Sequence, residues 1–323
     1  MLFHKLLVRN AARLTLPCLL ALVTFGGSLA AASPVAAHGE HGQVIHVVNV
    51  TAHDNGSATN FRGYFNVPSR VPTGLVEFHF ANEGSQDHMA QFFKLDAGVS
   101  ESQFLQALTP LFTSQDPSVI VPALHALLAI SSAAGGADSI TPDRVQRVIE
   151  RLTAGHYVVV CFDTTANGTP HFLLGMHKSF WADADAWAPV DRDEQVVNGA
   201  PLANGTVSES DHQISLPSVI SKDRPLLLKV TVADQSHEFQ LVRVPAGTTK
   251  EELLSCLTGG ACGLTAQPID SGGAAAIAPG STHWVELHLQ PGTYAAWCFV
   301  PDIETGMPHA LMGMISVFTV TED

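Results

Sequence analysis

The chain has 323 residues, of which 46% are hydrophobic and only 14% charged, with 30 acidic side chains against 16 basic ones. That length divides most naturally into two domains, each large enough to bury its own core. The acidic balance excludes nucleic acid as a partner, because no basic stripe is present to contact phosphates, and the low charged fraction excludes an acidic disordered chain.

In chain order, residues 1–37 read as a secretory signal peptide. Lys5, Arg9 and Arg13 precede the apolar run LTLPCLLALVTF, which contains Cys18, and small residues follow. Cleavage is expected after Ala32 or after Ala37, the second leaving His38 as the amino terminus. The run is too short for a comfortable membrane span and no later stretch is longer. The expectation is therefore an exported protein, periplasmic or extracellular, without stable membrane insertion. HGEHGQVIH (38–46) reads as a solvated histidine-rich tail.

Two structural domains are expected, at 43–182 and 206–323, joined by a polar, turn-rich linker at 183–205. Alternation and β-branching mark strands at VIHVVNVTA, GLVEFHFAN and HYVVVCF in the first half, and at LLLKVTVA, HWVELHL and ISVFTV in the second. Capping-box pairs, Ser100 with Gln103 and Thr249 with Glu252, introduce a helix in each half. The segment 109–142 reads as an extra helix, PALHALLAI, running into a flexible turn, SSAAGG. His79, His283 and His288 fall on strands and read as partly exposed sheet residues. Cys256 and Cys262, six apart across a Gly-Gly turn, are expected to close a small disulfide loop in an oxidising compartment.

The two halves repeat one another. GHYVVVCFDTTANGTPHFLLGM (155–176) and GTYAAWCFVPDIETGMPHALMGM (292–314) share Gly-x-Tyr-x-x-x-Cys-Phe, then Pro-His, then Gly-Met. Upstream, DHMAQFFKL (87–95) pairs with SHEFQLVRV (236–244), setting His88 against His237. Each half thus offers a histidine at a strand start, a cysteine at a strand end, and a histidine and a methionine from the following loop. Two imidazoles, a thiolate and a weak axial thioether form the donor set of a blue-copper centre.

On these residues both halves resemble the cupredoxins, the family of plastocyanin, azurin and amicyanin. The resemblance covers most of 43–182 and 206–323. It implies an all-β protein with two Greek-key β-sandwich domains, each with a helical insertion before the penultimate strand. It further implies copper as cofactor, held by His88, Cys161, His171 and Met176 in the first half and by His237, Cys298, His309 and Met314 in the second. Met312 is an alternative axial ligand that the repeat sets opposite Leu174. Asn82, six before His88, resembles the Asn…His segment of small cupredoxins, with Thr231 in its slot in the second half. The ten- and eleven-residue steps from cysteine to histidine exceed those of small cupredoxins and are nearer the loops of copper nitrite reductases.

Electron transfer with a redox partner protein is the implied function, with copper storage or delivery using the same donors. Two other readings stay open. One is a metal-free sandwich acting as a binding or structural envelope protein, in which a buried Cys, Met and His simply pack a loop. The other is a copper enzyme. Multicopper oxidases need His-x-His pairs, of which the chain has none, and nitrite reductases place a histidine before the cysteine, where this chain has Val160 and Trp297. No catalytic residue is assigned.

Overall fold

A computed structural model describes residues 45–322, apart from 58–59, 187–189, 193–195, 198, 222–225 and 266–268. The signal segment, its cleavage sites and His38 lie outside the described residues. The described residues form two β-sandwich bodies with the same strand order. The first comprises β1 (Ile45–Asp54), β2 (Gly63–Asn66), β3 (Gly74–Asn82), β4 (His88–Leu95), β5 (Ser131–Ile140), β6 (Val145–Leu152), β7 (Gly155–Val160) and β8 (His177–Ala182). The second comprises β9 (Gly205–Ser210), β10 (Gln213–Ser215), β11 (Leu226–Val232), β12 (His237–Val244), β13 (Ile269–Ile277), β14 (Thr282–Leu287), β15 (Gly292–Trp297) and β16 (Ile315–Thr321). Both bodies are all-β sandwiches, as the sequence reading expects. Among the described residues no helix is long and apolar enough to cross a membrane.

Each sandwich packs one sheet, β2-β1-β3-β6 or β10-β9-β11-β14, on another, β5-β4-β7-β8 or β13-β12-β15-β16. The alternating side chains that mark these strands face one another between the sheets: Val48, Val50, Phe78 and Phe80 meet Phe92, Tyr157, Val159 and Phe180, all buried. The sheets continue from one body into the next. β6 pairs antiparallel with β14 through Val148 opposite Val285, and β5 with β13 through Ala137 opposite Ala274. The seam is closed by Gln91, whose amide donates to the Ala276 carbonyl at 2.9 Å and accepts from the Ala276 N–H at 2.8 Å.

β5 corrects the sequence reading. The extra helix ends at Leu128, and the small residues after it form a strand in the interior of a ten-stranded sheet. Ser, Ala and Gly have low β-propensity and read as a turn, but here they let two backbones approach. Gly136 has φ +115°, and a Cβ there would stand 1.9 Å from the Ala90 carbonyl oxygen; Gly273 repeats this against Phe239 at 2.0 Å. The register shifts beside both glycines. With β5 counted, four strands follow the helices, so the insertion lies between the fourth and fifth strands of each body, not before the penultimate one.

Of the helices α1 (Glu101–Leu108), α2 (Pro110–Thr113), α3 (Pro117–Leu128) and α4 (Lys250–Leu257), α1 and α4 begin where the capping boxes predict, and α2 starts on Pro110 without a side-chain cap. Both capping boxes form, and Asp116 caps α3 by accepting from the Ser118 N–H at 2.9 Å. Phe104 and Leu108 pack on Phe93, Val158 and Val160, and Leu253 and Leu257 do the same on Val242 and Trp297. The second sheet of each body therefore has a covered outer face. A disulfide joins Cys256, in the last turn of α4, to Cys262 beyond the end of the helix.

His283 also departs from the sequence reading. It is fully buried, with Nδ1 3.2 Å from Glu150 Oε1, which itself accepts from the Gly136 N–H at 2.7 Å. Only the pairing of β6 with β14 makes its position interior. His79 is part-buried and bonded to Glu77, and His288 is exposed and 2.8 Å from Glu286 Oε1.

Candidate metal centre

In each body the ends of β4 and β7, or of β12 and β15, meet at one edge of the sandwich. His88 is the first residue of β4, and Cys161 directly follows β7, which pairs with β4 through Gln91 opposite Val160. The loop after the cysteine returns through a bridge between Thr164 and Pro170, so that the His171 N–H donates to the Asp163 carbonyl at 2.8 Å. A single 3-10 turn (His171–Leu174) ends on Gly175 at φ +97°, and the Met176 N–H donates back to the His171 carbonyl at 3.0 Å. The second body repeats these contacts: Pro301 bridges Pro308, His309–Met312 form the turn, Gly313 has φ +98°, and the Met314 N–H reaches the His309 carbonyl at 3.0 Å. The hydrogen-bonded return is how so long a loop stays tight.

The geometry that results is a triangle. Cys161 Sγ lies 3.6 Å from His88 Nδ1 and 3.5 Å from His171 Nδ1, and the two nitrogens are 3.2 Å apart. In the second body the same three separations are 3.7, 3.6 and 3.1 Å. The point equidistant from the three atoms stands about 2.0 Å from each, close to the roughly 2.0–2.1 Å of a metal–imidazole bond and the roughly 2.3 Å of a metal–thiolate bond. All six side chains have no exposed surface, and both groups can hold a metal ion.

Met176 and Met314 are also fully buried. Met176 is tied to Cys161, whose N–H donates to its carbonyl at 3.2 Å, and Gly63 leaves the room its sulfur occupies, since a Cβ there would stand 2.8 Å from Sδ. Met312, the alternative, lies on the 3-10 turn with its sulfur 4.0 Å from Thr305 Oγ1.

Desolvation sets the protonation of these groups. Burial, then the neighbouring His88, lowers the pKa of His171 to about 3, and burial with His237 lowers His309 to about 4. Burial raises both thiols well above the ordinary range, with Asp163 adding to it at Cys161 and Glu238 and Glu209 at Cys298. The imidazoles are thus neutral and ready to ligate, while each thiol needs a cation to become a thiolate.

Sequence reasoning missed the residues behind the ligands. Asp54 ends β1 and its Oδ2 lies 2.9 Å from His88 Nε2, which fixes Nδ1 toward the centre. The carboxylate also accepts from Gly56 N–H at 2.6 Å, Ser85 N–H at 2.7 Å, Ser85 Oγ at 2.8 Å and Gln86 N–H at 3.1 Å. Burial raises its pKa, but the bonds from Ser85, Gly56 and His88 outweigh this and hold it well below the usual carboxylate range. Gly84 is required beside it, because a Cβ would stand 2.3 Å from Asp54 Oδ2. In the second body Asp211 takes this place, 3.4 Å from His237 Nε2.

Other supports differ between the bodies. Asn82 donates to the Gln86 and Ile140 carbonyls at 2.8 and 2.9 Å and accepts from the Gly84 N–H at 2.9 Å. Its backbone slot in the second body is filled by Val232, not Thr231: Val232 pairs with Glu209 as Asn82 does with Ala52. Gln235 pins that loop instead, donating to Asp302 at 2.8 Å and accepting from the Ile303 N–H at 2.8 Å. Glu209, where the first body has Ala52, is buried with neither carboxyl oxygen hydrogen-bonded, and burial followed by Glu238 raises its pKa well above normal. α3 of the first body packs on the second ligand loop, where a Cβ at Gly306 would stand 3.0 Å from Ile120.

Fold and centre together define an all-β, two-sandwich protein with two His/Cys/His groups able to hold a metal. No protein-family profile matches the chain, and no curated protein matches it. Among solved structures it is similar to a multicopper oxidase at 14% identity, over 87% of this chain and 90% of that one, with a TM-score of 0.26. A copper nitrite reductase from Nitrosomonas europaea matches at 14% identity, over 86% and 95%, with a TM-score of 0.24. Auracyanin from Roseiflexus castenholzii matches at 19% identity, over 37% of this chain and 98% of its own, with a TM-score of 0.23. At scores this low none of the three adds weight to the fold or the centre, which stand on the strands and side chains described above.

Proposed function

We propose that this is an exported copper protein whose two centres, His88/Cys161/His171 with Met176 and His237/Cys298/His309 with Met314, carry single electrons to or from a redox partner protein. The observation that supports it best is the pair of buried Nδ1–Sγ–Nδ1 triangles, matched to within 0.1 Å on every side. Three separate chain segments converge on each triangle, so the arrangement is a donor set and more than loop packing. Copper in such a set exchanges one electron between Cu(I) and Cu(II). The protein's own part is to hold the donors: backbone bonds fix Cys161, His171 and Met176 relative to one another, and Asp54 fixes the ring of His88. A site that cannot rearrange favours electron transfer over storage or delivery, for which ligands must let go. The residues flanking the cysteines, Val160 and Trp297, offer no bridge to a second metal.

Protein loaded with Cu(II) should show an intense thiolate-to-copper band in the visible. Cys161→Ala with Cys298→Ala should abolish it, each single variant removing one part. A colourless wild-type protein that retains no copper refutes the reading and returns the chain to a metal-free binding or envelope role.

A further inference from the structure

The connection between the first two strands of each body provides both the aspartate behind the first histidine and a ring over the second. In the first body that ring is Phe61, stacked on His171 with centroids 4.1 Å apart and planes 11° apart. Phe61 is buried and presses on the Met176 side. In the second body the connection shrinks to Asp211 and His212 between β9 and β10, and His212 stands edge-on to His309 at 6.1 Å. His212 is exposed and has φ +65°. A glycine would hold that backbone with no steric cost, so a histidine there points to a use for its ring. The ligand loop differs in the same sense. Exposed Met307 stands where the first loop has Thr169, and Met312 where it has Leu174. His212 and the two methionines of the second ligand loop thus put imidazole and soft sulfur donors at three positions filled in the first body by Phe, Thr and Leu.

We propose that His212 is the entry ligand of the second centre: it takes a copper ion from solution and passes it to His237, Cys298 and His309, while Phe61 closes the first centre to direct exchange. The ion keeps its oxidation state throughout. As the two imidazoles and the sulfur take it from His212, the Cys298 thiol gives its proton to solvent. This rests on the copper reading above and adds an order of loading, second centre first.

Cys161→Ser and Cys298→Ser proteins isolate the two centres. Each is mixed with Cu(II) by stopped flow and the growth of the visible band is followed. The second centre should load about tenfold faster than the first, the scale on which outer-shell partners act on metal sites. His212→Ala and His212→Phe should each slow it about tenfold with the same final absorbance, and Phe61→His should speed the first centre. An unchanged rate in His212→Phe, or a faster one in His212→Ala, makes the ring a mere cover and overturns the proposal. A reduced final absorbance at unchanged rate makes the ring structural and overturns it equally. No band in either single-centre protein refutes the copper reading itself, and this proposal with it.

Discussion

Asp54→Asn keeps the shape of the side chain and removes the charge facing His88 Nε2 across 2.9 Å. Both side chains are fully buried, so solvent cannot replace the lost interaction. A hydrogen bond to a charged group contributes about 1.5–3 kcal/mol, which at about 1.4 kcal/mol per decade is a loss of roughly 10- to 100-fold in copper affinity. Asp211→Asn is the internal control. Its carboxylate is 3.4 Å from His237 Nε2 and 37% exposed, and exposed pairs contribute about 0.2–1 kcal/mol, or roughly fivefold at most. Chelator competition on the Cys298→Ser and Cys161→Ser proteins measures the two losses separately. Equal losses, or a larger one at Asp211, would show that Asp54 does not position its histidine. The sign with pH follows from the lowered pKa of Asp54: its stabilisation is complete above about pH 4, the ordinary carboxylate range, and is lost as pH falls below it.

Glu209→Leu should stabilise the metal-free protein at pH 7 by about 1–3 kcal/mol, because an unpartnered buried acid is removed. Its raised pKa means that the gain shrinks as pH falls toward about 4, where the unfolded chain also takes up the proton; thermal melts across pH read both. The lowered pKa values of His171 and His309 give the metal-free protein a melting temperature that falls from about pH 6.5 downward, as unfolded histidines take up protons that the native ones refuse. A metal-free Tm that is flat between pH 7 and 4 contradicts that burial. Gly136→Ala sets a Cβ against the Ala90 carbonyl and should cost at least about 3 kcal/mol in urea unfolding, whereas Gly98→Ala, also at positive φ but with open space around it, should cost only about 1 kcal/mol. Replacing both Cys256 and Cys262 by serine opens a loop of six residues' separation and should cost about 2 kcal/mol, with reductant producing the same shift in the parent protein.

The strands with alternating or β-branched residues could be read directly, since a half-buried sheet writes its period into the side chains: β1, β3, β7, β11, β14 and β16 lie where the pattern puts them. The capped helices could be read too, because a capping box is a local device satisfied within four residues. β5 could not. Its Ser-Ala-Gly sequence has no strand signature, and it is a strand only because β4 and β13 flank it and tolerate nothing larger. The burial of His283 is hidden from the sequence for the same reason, being a property of the seam and not of its own strand.

At the centres, the repeat of Cys, Pro-His and Gly-Met singled out six of the residues named and the upstream repeat added His88 and His237, because the donors with the right chemistry recur at nearly equal spacing. What spacing could not supply was distance. The ten- and eleven-residue loops are long enough to put their histidines almost anywhere, and it is the bridges at Thr164–Pro170 and Pro301–Pro308 that bring them to 3.5–3.6 Å from the sulfur. Asp54, Phe61 and Glu209 lie far from the ligands in sequence and carry no signature of their own, and Gly84, four residues before His88, shows its role only through Asp54. The sequence alone determined which side chains could bind a metal and that there are two such sets, since ligand chemistry is a property of residue type. Only the tertiary structure decided that the sets are unequal, because the groups behind and above each ligand arrive from other strands, and desolvation and hydrogen bonding depend on where a chain folds back.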